Sequence, residues 1–572
     1  TNASPGVGVN LGAEIKTTSN NSTTKLTSTT GAVSGSGNIT TAVGNTGNIT
    51  VSTAAAGTLS GVISGGGSLV KQGTGATTLT NSNTYSGSTT ISTGTLQIGN
   101  ATTTGSLGTG AVTNNAALTF NRSNSMIVGN AIAGTGSVNQ IGTGTTTLTA
   151  NNSYSGASTV NGGTLQVGNG GATGTLGSGD VTLANGSSLA YNRNSATVIN
   201  NNISGNGNVS AAITGNLDVA SIINLTTANN TLNLTASGNI TESAGSITAT
   251  NLYLTATNGS IGAAGNRINT NVSNLAMISA GDQFATQTNA LRLAARTTSA
   301  GSIDVNTTDG TLTVGSVNGV NGVTASGNGN ITLEGTSNSS DGLVIELAKS
   351  VTSSAGNIAL TGNSTGANGT GLNIAFNGSI STAGDVNLTG TTTADNRTAG
   401  TFAAVTNAGS VTASNITLSA LASNTTADVL GYYGAGGNLI ASHNLTANAE
   451  SRGAGAGYYM YAGKAQSGTG MSITGISNTD IGIGLDNVAQ VLNQVSAGSA
   501  TGDLVISGST NSTTRGGVAF IKTTIENTAS NGGGTNYASS ASYTIPGSDT
   551  VLYAKWTAVN YALSYNANGG SG

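Results

Sequence analysis

The 572-residue chain has no cysteine, two prolines, one histidine and one tryptophan, and only 6% of it is charged. Without cysteine there are neither disulfides nor metal–thiolate sites. That lack suits a chain exported unfolded through an oxidising compartment, where premature disulfides would obstruct it, and a Ser/Thr/Asn/Gly-biased composition accounts for it equally well. With 15 basic against 19 acidic residues and no Lys/Arg run, the chain lacks the electrostatic footprint of a partner for nucleic acid or an anionic membrane. No stretch approaches the roughly 20 apolar residues of a membrane-spanning helix, and no leader follows Thr1. The expectation is a cytosolic protein or an internal piece of an exported one.

What the chain does have is a long block written twice. Gly61 to Asn100 and Asn130 to Asn169 hold register, with Ile63 and Ile132, Leu79 and Leu148, Tyr85 and Tyr154, and Leu96 and Leu165 all at one constant offset. Beyond Leu107 and Leu176 the match slips by two, so that Phe120 and Arg122 meet Tyr191 and Arg193. Within the block, short runs such as TTLT and TLQIG alternate apolar with small polar residues, the pattern of a strand with one buried face. Gly and Asn, which accept left-handed backbone angles, mark the corners between them. Strand, corner, strand is the plan of a coil, and no strand this short buries its face alone. The fold class expected is therefore all-β, a right-handed parallel β-helix (solenoid) with coils of about 23 residues, three to each repeat.

The organisation expected is N-terminal coils over 1–56, the two repeats over 57–210, irregular coils with loops over 211–540, and a small β-module over 541–572. The third segment carries a recurring Gly-Asn/Ser-Ile theme, as in NITLEG, NIALTG and DVNLTG. Leu485, Val488, Val491, Leu492 and Val495 fall at helical spacing and predict a short helix there.

Chemistry is sparse. Glycoside hydrolysis needs two carboxylates about 5–10 Å apart; the candidate pairs are Asp304 with Asp309, Asp341 with Glu346, Asp385 with Asp395 and Asp480 with Asp486, with Lys349 and Arg397 nearby. His443, without a Cys or His partner, is expected on an exposed loop rather than on a metal. No catalytic residue, metal site or cofactor is assigned. The GYY string occurs twice, at Tyr432-Tyr433 and Tyr458-Tyr459, with Tyr461 beyond. One expanded coil between the two copies puts one tyrosine of each pair inside and the other outside. The outcome is either an internal aromatic stack or an exposed ladder that stacks on sugar faces, and on the second reading Tyr432, Tyr433, Tyr458, Tyr459 and Tyr461 are the candidate ligand-binding residues.

The segment LVKQGTGATTLTNSNTYSGSTTISTGTLQIG resembles the passenger-associated, autotransporter-associated β-strand repeat of bacterial type V secretion. The Gly-Asn-Ile theme is similar to that of filamentous-haemagglutinin-like adhesins, and the tail from Tyr543, with LYAKWTA and YALSYNANGGSG, resembles an internalin-B-type (Listeria–Bacteroides) repeat. These resemblances imply a non-enzymatic stalk or passenger segment of a large bacterial surface adhesin. It would be exported across the outer membrane by a translocating barrel outside this piece. A host-cell, matrix or glycan ligand, or other copies on neighbouring cells, would be its partners. The alternative is a secreted β-helix enzyme acting on polysaccharide.

Overall fold

The computed structural model describes residues 8–44, 46–395, 403–486, 489–493 and 504–511, together with the strands Val518–Phe520, Thr524–Asn527 and Thr550–Ala554. It is an all-β parallel solenoid of about 20 turns, with coils of about 24 residues. Two compact units make it up, Thr1–Tyr253 and Leu254–Gly572.

In the first unit each coil has three short sides, and alternate residues point inward. Leu69, Leu79, Ile91, Leu96 and Ile98 are all buried, while their chain neighbours Val70, Thr78, Thr90 and Gln97 are only partly buried. Successive ladder partners run Leu69 to Thr89 to Val112 to Ile132 on one face and Thr77 to Leu96 to Leu118 to Val138 on another. These two ladders correct the expected division of the repeat into three coils. Val138 is the counterpart of Leu69, yet it pairs in the second ladder. One repeat thus makes three turns and one further side, and its second copy begins one face round from the first. The inward–outward alternation is the same on every face, so nothing in the core opposes this rotation.

The second unit widens. From Ile303 onward, ladder partners run Ile303, Ile331, Ile358, Val386, Ile416, Leu445, Met471 and Leu504, so every coil here is longer than those around Leu69. The extra residues form a side lobe in each coil. Its neck is a column of small residues, Gly335, Gly362, Gly390, Ala420, Ala449 and Gly475, paired rung to rung. A Cβ on Gly335 would stand 2.0 Å from Gly342 O, and one on Gly362 would stand 2.0 Å from Gly371 O. Two backbones therefore touch across the neck. Beyond it the lobe holds a buried cluster of Ala394, Ala422, Ala427 and Val429 together with a row of hydroxyls. Ser364 Oγ donates to Ser340 O at 2.7 Å, Thr392 Oγ1 to Gly369 O at 2.6 Å, Ser451 Oγ to Val429 O at 2.7 Å and Ser477 Oγ to Gly455 O at 2.8 Å. Each hydroxyl thereby satisfies a carbonyl of the preceding coil's lobe.

The expected helix is absent among the described residues. Leu485 lies in the strand Ile483–Asp486 and Val491 in Gln490–Asn493, in register with Met460 and Ala465 of the coil before. Ladder pairing outweighs the local helical period; Val488 and Val495 lie outside the described residues. The same holds for the tail, apart from Thr550–Ala554, which pairs antiparallel with Leu504–Thr510.

Candidate functional site

The twin repeats place the same side chains in the same work on different faces. Asn83 and Asn152 are buried at corners, each spanning three rungs. Asn83 Oδ1 accepts the Ile63 N–H at 2.8 Å while its Nδ2 donates to Ser106 O at 2.7 Å. Asn152 does the same between Ile132 and Thr175, at 2.9 and 2.7 Å. Tyr85 and Tyr154 are fully buried, with hydroxyls 2.8 Å from Thr89 Oγ1 and Ser158 Oγ, and burial pushes both phenols up. Each copy also carries a bulged strand, Thr95–Thr102 and Thr164–Gly171. An arginine closes each: Arg122 donates to Thr103 O and to Gly105 O, and Arg193 to Ala172 O.

The copies differ at Lys71 and Gln140. Lys71 is wholly buried, and its Nζ donates to three backbone carbonyls, Gln72 O and Gly73 O at 2.8 Å and Thr93 O at 3.1 Å. Gln140 serves the same corner with its amide, donating to Gly142 O and Gly144 O, and accepts from Thr146 Oγ1 at 2.7 Å. Burial pushes the Lys71 ammonium from 10.5 down to about 8. The unfolded chain therefore holds a proton between pH 8 and 10.5 that the folded chain has released, and stability rises with pH across that window. The buried tyrosines act oppositely above pH 10, where the unfolded phenols ionise and the folded ones do not. Thermal melting from pH 7 to 10 should show a rise on the order of 2–3 kcal/mol, and Lys71→Gln should flatten it.

The GYY strings stand on adjacent rungs, Tyr432 on Tyr458 and Tyr433 on Tyr459. Tyr432 and Tyr458 have no exposed surface and stack inside the coil, ring centroids 4.6 Å apart. They present no face to any ligand, which corrects their place among the candidate sugar-binding residues. Tyr432 Oη takes a long contact of 3.4 Å from Asn407 Nδ2, whereas Tyr458 Oη has no partner among the described residues. Burial pushes Tyr432 up to about 12. Tyr433 and Tyr459 point outward but also stack on each other, at 6.1 Å and 18°, against Leu430, Ala456 and Ile481. Tyr459 Oη donates to Asp486 Oδ2 at 3.2 Å, and burial first, then that carboxylate, pushes it up to about 12. In-register stacking sets one face of each ring against the other. Tyr461, 44% exposed, is in no stacked pair among the described residues.

The acidic candidates are engaged locally. Asp304 takes Arg267 Nη2 at 3.0 Å, Asp309 takes Asn338 Nδ2 at 2.8 Å, and Asp341 accepts the Thr370 N–H at 2.8 Å. Glu346 holds both Nη atoms of Arg292, and Asp385 takes Asn415 Nδ2 at 2.8 Å. Lys349 Nζ donates to Asn321 Oδ1; Arg397 lies outside the described residues. His443 is exposed, with Nδ1 3.1 Å from Ser414 Oγ. Among the described residues no three His, Asp or Glu converge to hold a metal ion.

The feature that sequence reasoning missed is the neck. Its signal was present in the last residue of LEG, LTG and LTG at Gly335, Gly362 and Gly390, one coil apart.

Segments 69–98 and 138–167 match the passenger-associated-transport-repeat family. No curated protein and no solved structure matches the chain. That repeat family belongs to secreted, cell-surface proteins. Both matched segments lie within the parallel β-solenoid, and over them the chain is similar to passenger-associated transport repeats.

Proposed function

We propose that the chain is the spacer of a bacterial cell-surface adhesin, exported across the outer membrane through a barrel supplied elsewhere, and that its repeats set distance rather than bind. The carrying observation is the rotation of the repeat. Because each copy begins one face round, equivalent loops such as 99–105 and 168–174 leave on different faces. They build no row of like side chains for a host-cell, matrix or glycan ligand. A spacer needs only stacking, which the rotation leaves intact.

Deleting residues 69–137 tests this, since 138–167 then takes the place of 69–98 with every inward residue kept inward. The deletion variant should fold with a melting temperature within a few degrees of the parent. Cells displaying it should adhere as before, with a reach shorter by roughly 15 Å, about three rungs. Adhesion that falls in proportion to the repeats removed would make them the binding element. Among the five candidate tyrosines Tyr461 is the most exposed, and a sugar-stacking surface there would rest on it. A glycan panel probed with the chain and with Tyr461→Ala reads that directly: saturable binding lost in the variant supports it, and binding unchanged in the variant removes it.

A further inference from the structure

Two apolar features of the second unit fit each other. After the strand Leu343–Ile345, the turn from Glu346 to Lys349 closes with the Lys349 N–H donating to Glu346 O at 3.0 Å; one coil on, the turn from Ala375 to Gly378 closes with Gly378 N–H on Ala375 O at 2.9 Å. Their third residues, Ala348 and Asn377, have φ of 54° and 56°, the left-handed conformation that a type II turn requires at that place. It is an unfavourable one for alanine. The result is that the second residue of each turn, Leu347 and Phe376, stands outward, 62% and 63% exposed. Ile345 pairs with Ile374 just before them, so the two tips occupy equal places on adjacent coils, about 4.8 Å apart along the stack. In a chain with five phenylalanines, this is a two-pronged apolar knob.

The groove lies on another face and on later coils. Strands Val386–Thr392, Ile416–Ala422, Asn444–Ser451 and Gly470–Ser477 border a cavity of about 330 Å³. Its floor is the backbone at Gly390, Ala420 and Ala449, whose Cβ positions turn inward into the neck. One lip is Thr389, Ser419 and Asn448; the other is Leu421, Glu450 and Ile476. The exposed floor and second lip are mostly hydrocarbon, and Ile476 is 44% exposed.

We propose that this groove receives the Leu347–Phe376 knob of a second copy of the chain. Spacing argues for a second copy, since prongs one rung apart meet sockets one rung apart when both come from the same solenoid. Charge argues for it too. Lys349, beside Leu347, has among the described residues only the neutral amide of Asn321 as partner, at 2.9 Å. On the groove lip, Glu450 gives Oε1 to Arg452 at 2.7 Å and keeps Oε2 for an incoming cation. Knob and groove occupy different faces of one unit, so the contact is heterologous and a pair of copies keeps one knob and one groove for further copies. Each contact is small and therefore weak, and many copies on a surface multiply it. This inference stands apart from the spacer reading: loss of self-association leaves the effect of deleting a repeat untouched.

Sedimentation velocity of the purified chain across a concentration series tests it, using a knob variant, Leu347→Ser/Phe376→Ser, and a groove variant, Leu421→Glu/Ile476→Glu. All four positions have solvent access, and thermal melting checks that each variant is folded. The parent should associate with rising concentration into species larger than dimers, and each variant alone should weaken association at least about tenfold. An equimolar mixture of the two variants retains one sound knob and one sound groove, and should form dimers and nothing larger. A parent that stays monomeric throughout, a variant that associates like the parent, or a mixture that stays monomeric would each overturn the proposal.

Discussion

Tyr432→Ala is expected to destabilise the second unit by about 3–5 kcal/mol, the range for emptying a buried aromatic site. Tyr432 fills the coil interior, stacks 4.6 Å from Tyr458 and has no exposed surface. Removing it leaves a cavity, deprives Tyr458 of its ring partner and removes the long contact from Asn407 Nδ2. Tyr458→Ala should cost a similar amount, and the double variant less than the sum, because the stacking contact is lost only once. Tyr458→Phe should go the other way. Its hydroxyl is buried without a partner among the described residues, so deleting it is expected to stabilise by about 1 kcal/mol. Chemical denaturation of the parent and these variants reads all of this. A Tyr458→Phe protein weaker than the parent would mean that the hydroxyl is satisfied. A binding experiment that relied on alanine at Tyr432 and Tyr458 would therefore report core damage, and Tyr461 is the residue to substitute.

Gly362→Ala is expected to cost about 3–5 kcal/mol although it adds one methyl group. The new Cβ would stand 2.0 Å from Gly371 O, and both partners are backbone, so no rotamer change relieves the clash. The neck would have to open, and its neighbours Gly335 and Gly390 pass equally close: a Cβ on either would stand 2.0 or 2.1 Å from a carbonyl oxygen. Gly265→Ala is the matched control. A Cβ there meets nothing within 4 Å and its backbone is not left-handed, so it should melt within a degree or two of the parent. Equal losses at both positions would mean that the clash at the neck is not the cause, since the lower chain entropy of alanine in the unfolded state favours folding.

Much of the fold was legible because a β-coil is written locally. The alternation in TLQIG makes Leu96 and Ile98 inward whatever lies above them, and a corner glycine such as Gly94, at φ 73°, takes its left-handed angle without a distant partner. The interior place of Tyr432 and Tyr458 follows from the same parity. The expected helix near Leu485 failed because a short apolar pattern at helical spacing also satisfies a strand when its neighbours' backbone is waiting to pair. The outward tyrosines differ from the expected ladder for another reason. Parity places Tyr433 and Tyr459 outside, but rung stacking turns their faces onto each other.

The chain by itself determined that it is a parallel β-solenoid with passenger-associated-transport repeats, because inward–outward alternation, corner residues and a long constant period are properties of the sequence alone. Tertiary structure decided how many sides each repeat occupies, where two backbones meet at Gly362 and Gly371, and which apolar residues are left in solvent. Those depend on how a coil closes on itself, and closure is a contact between residues far apart in the chain that no local period encodes.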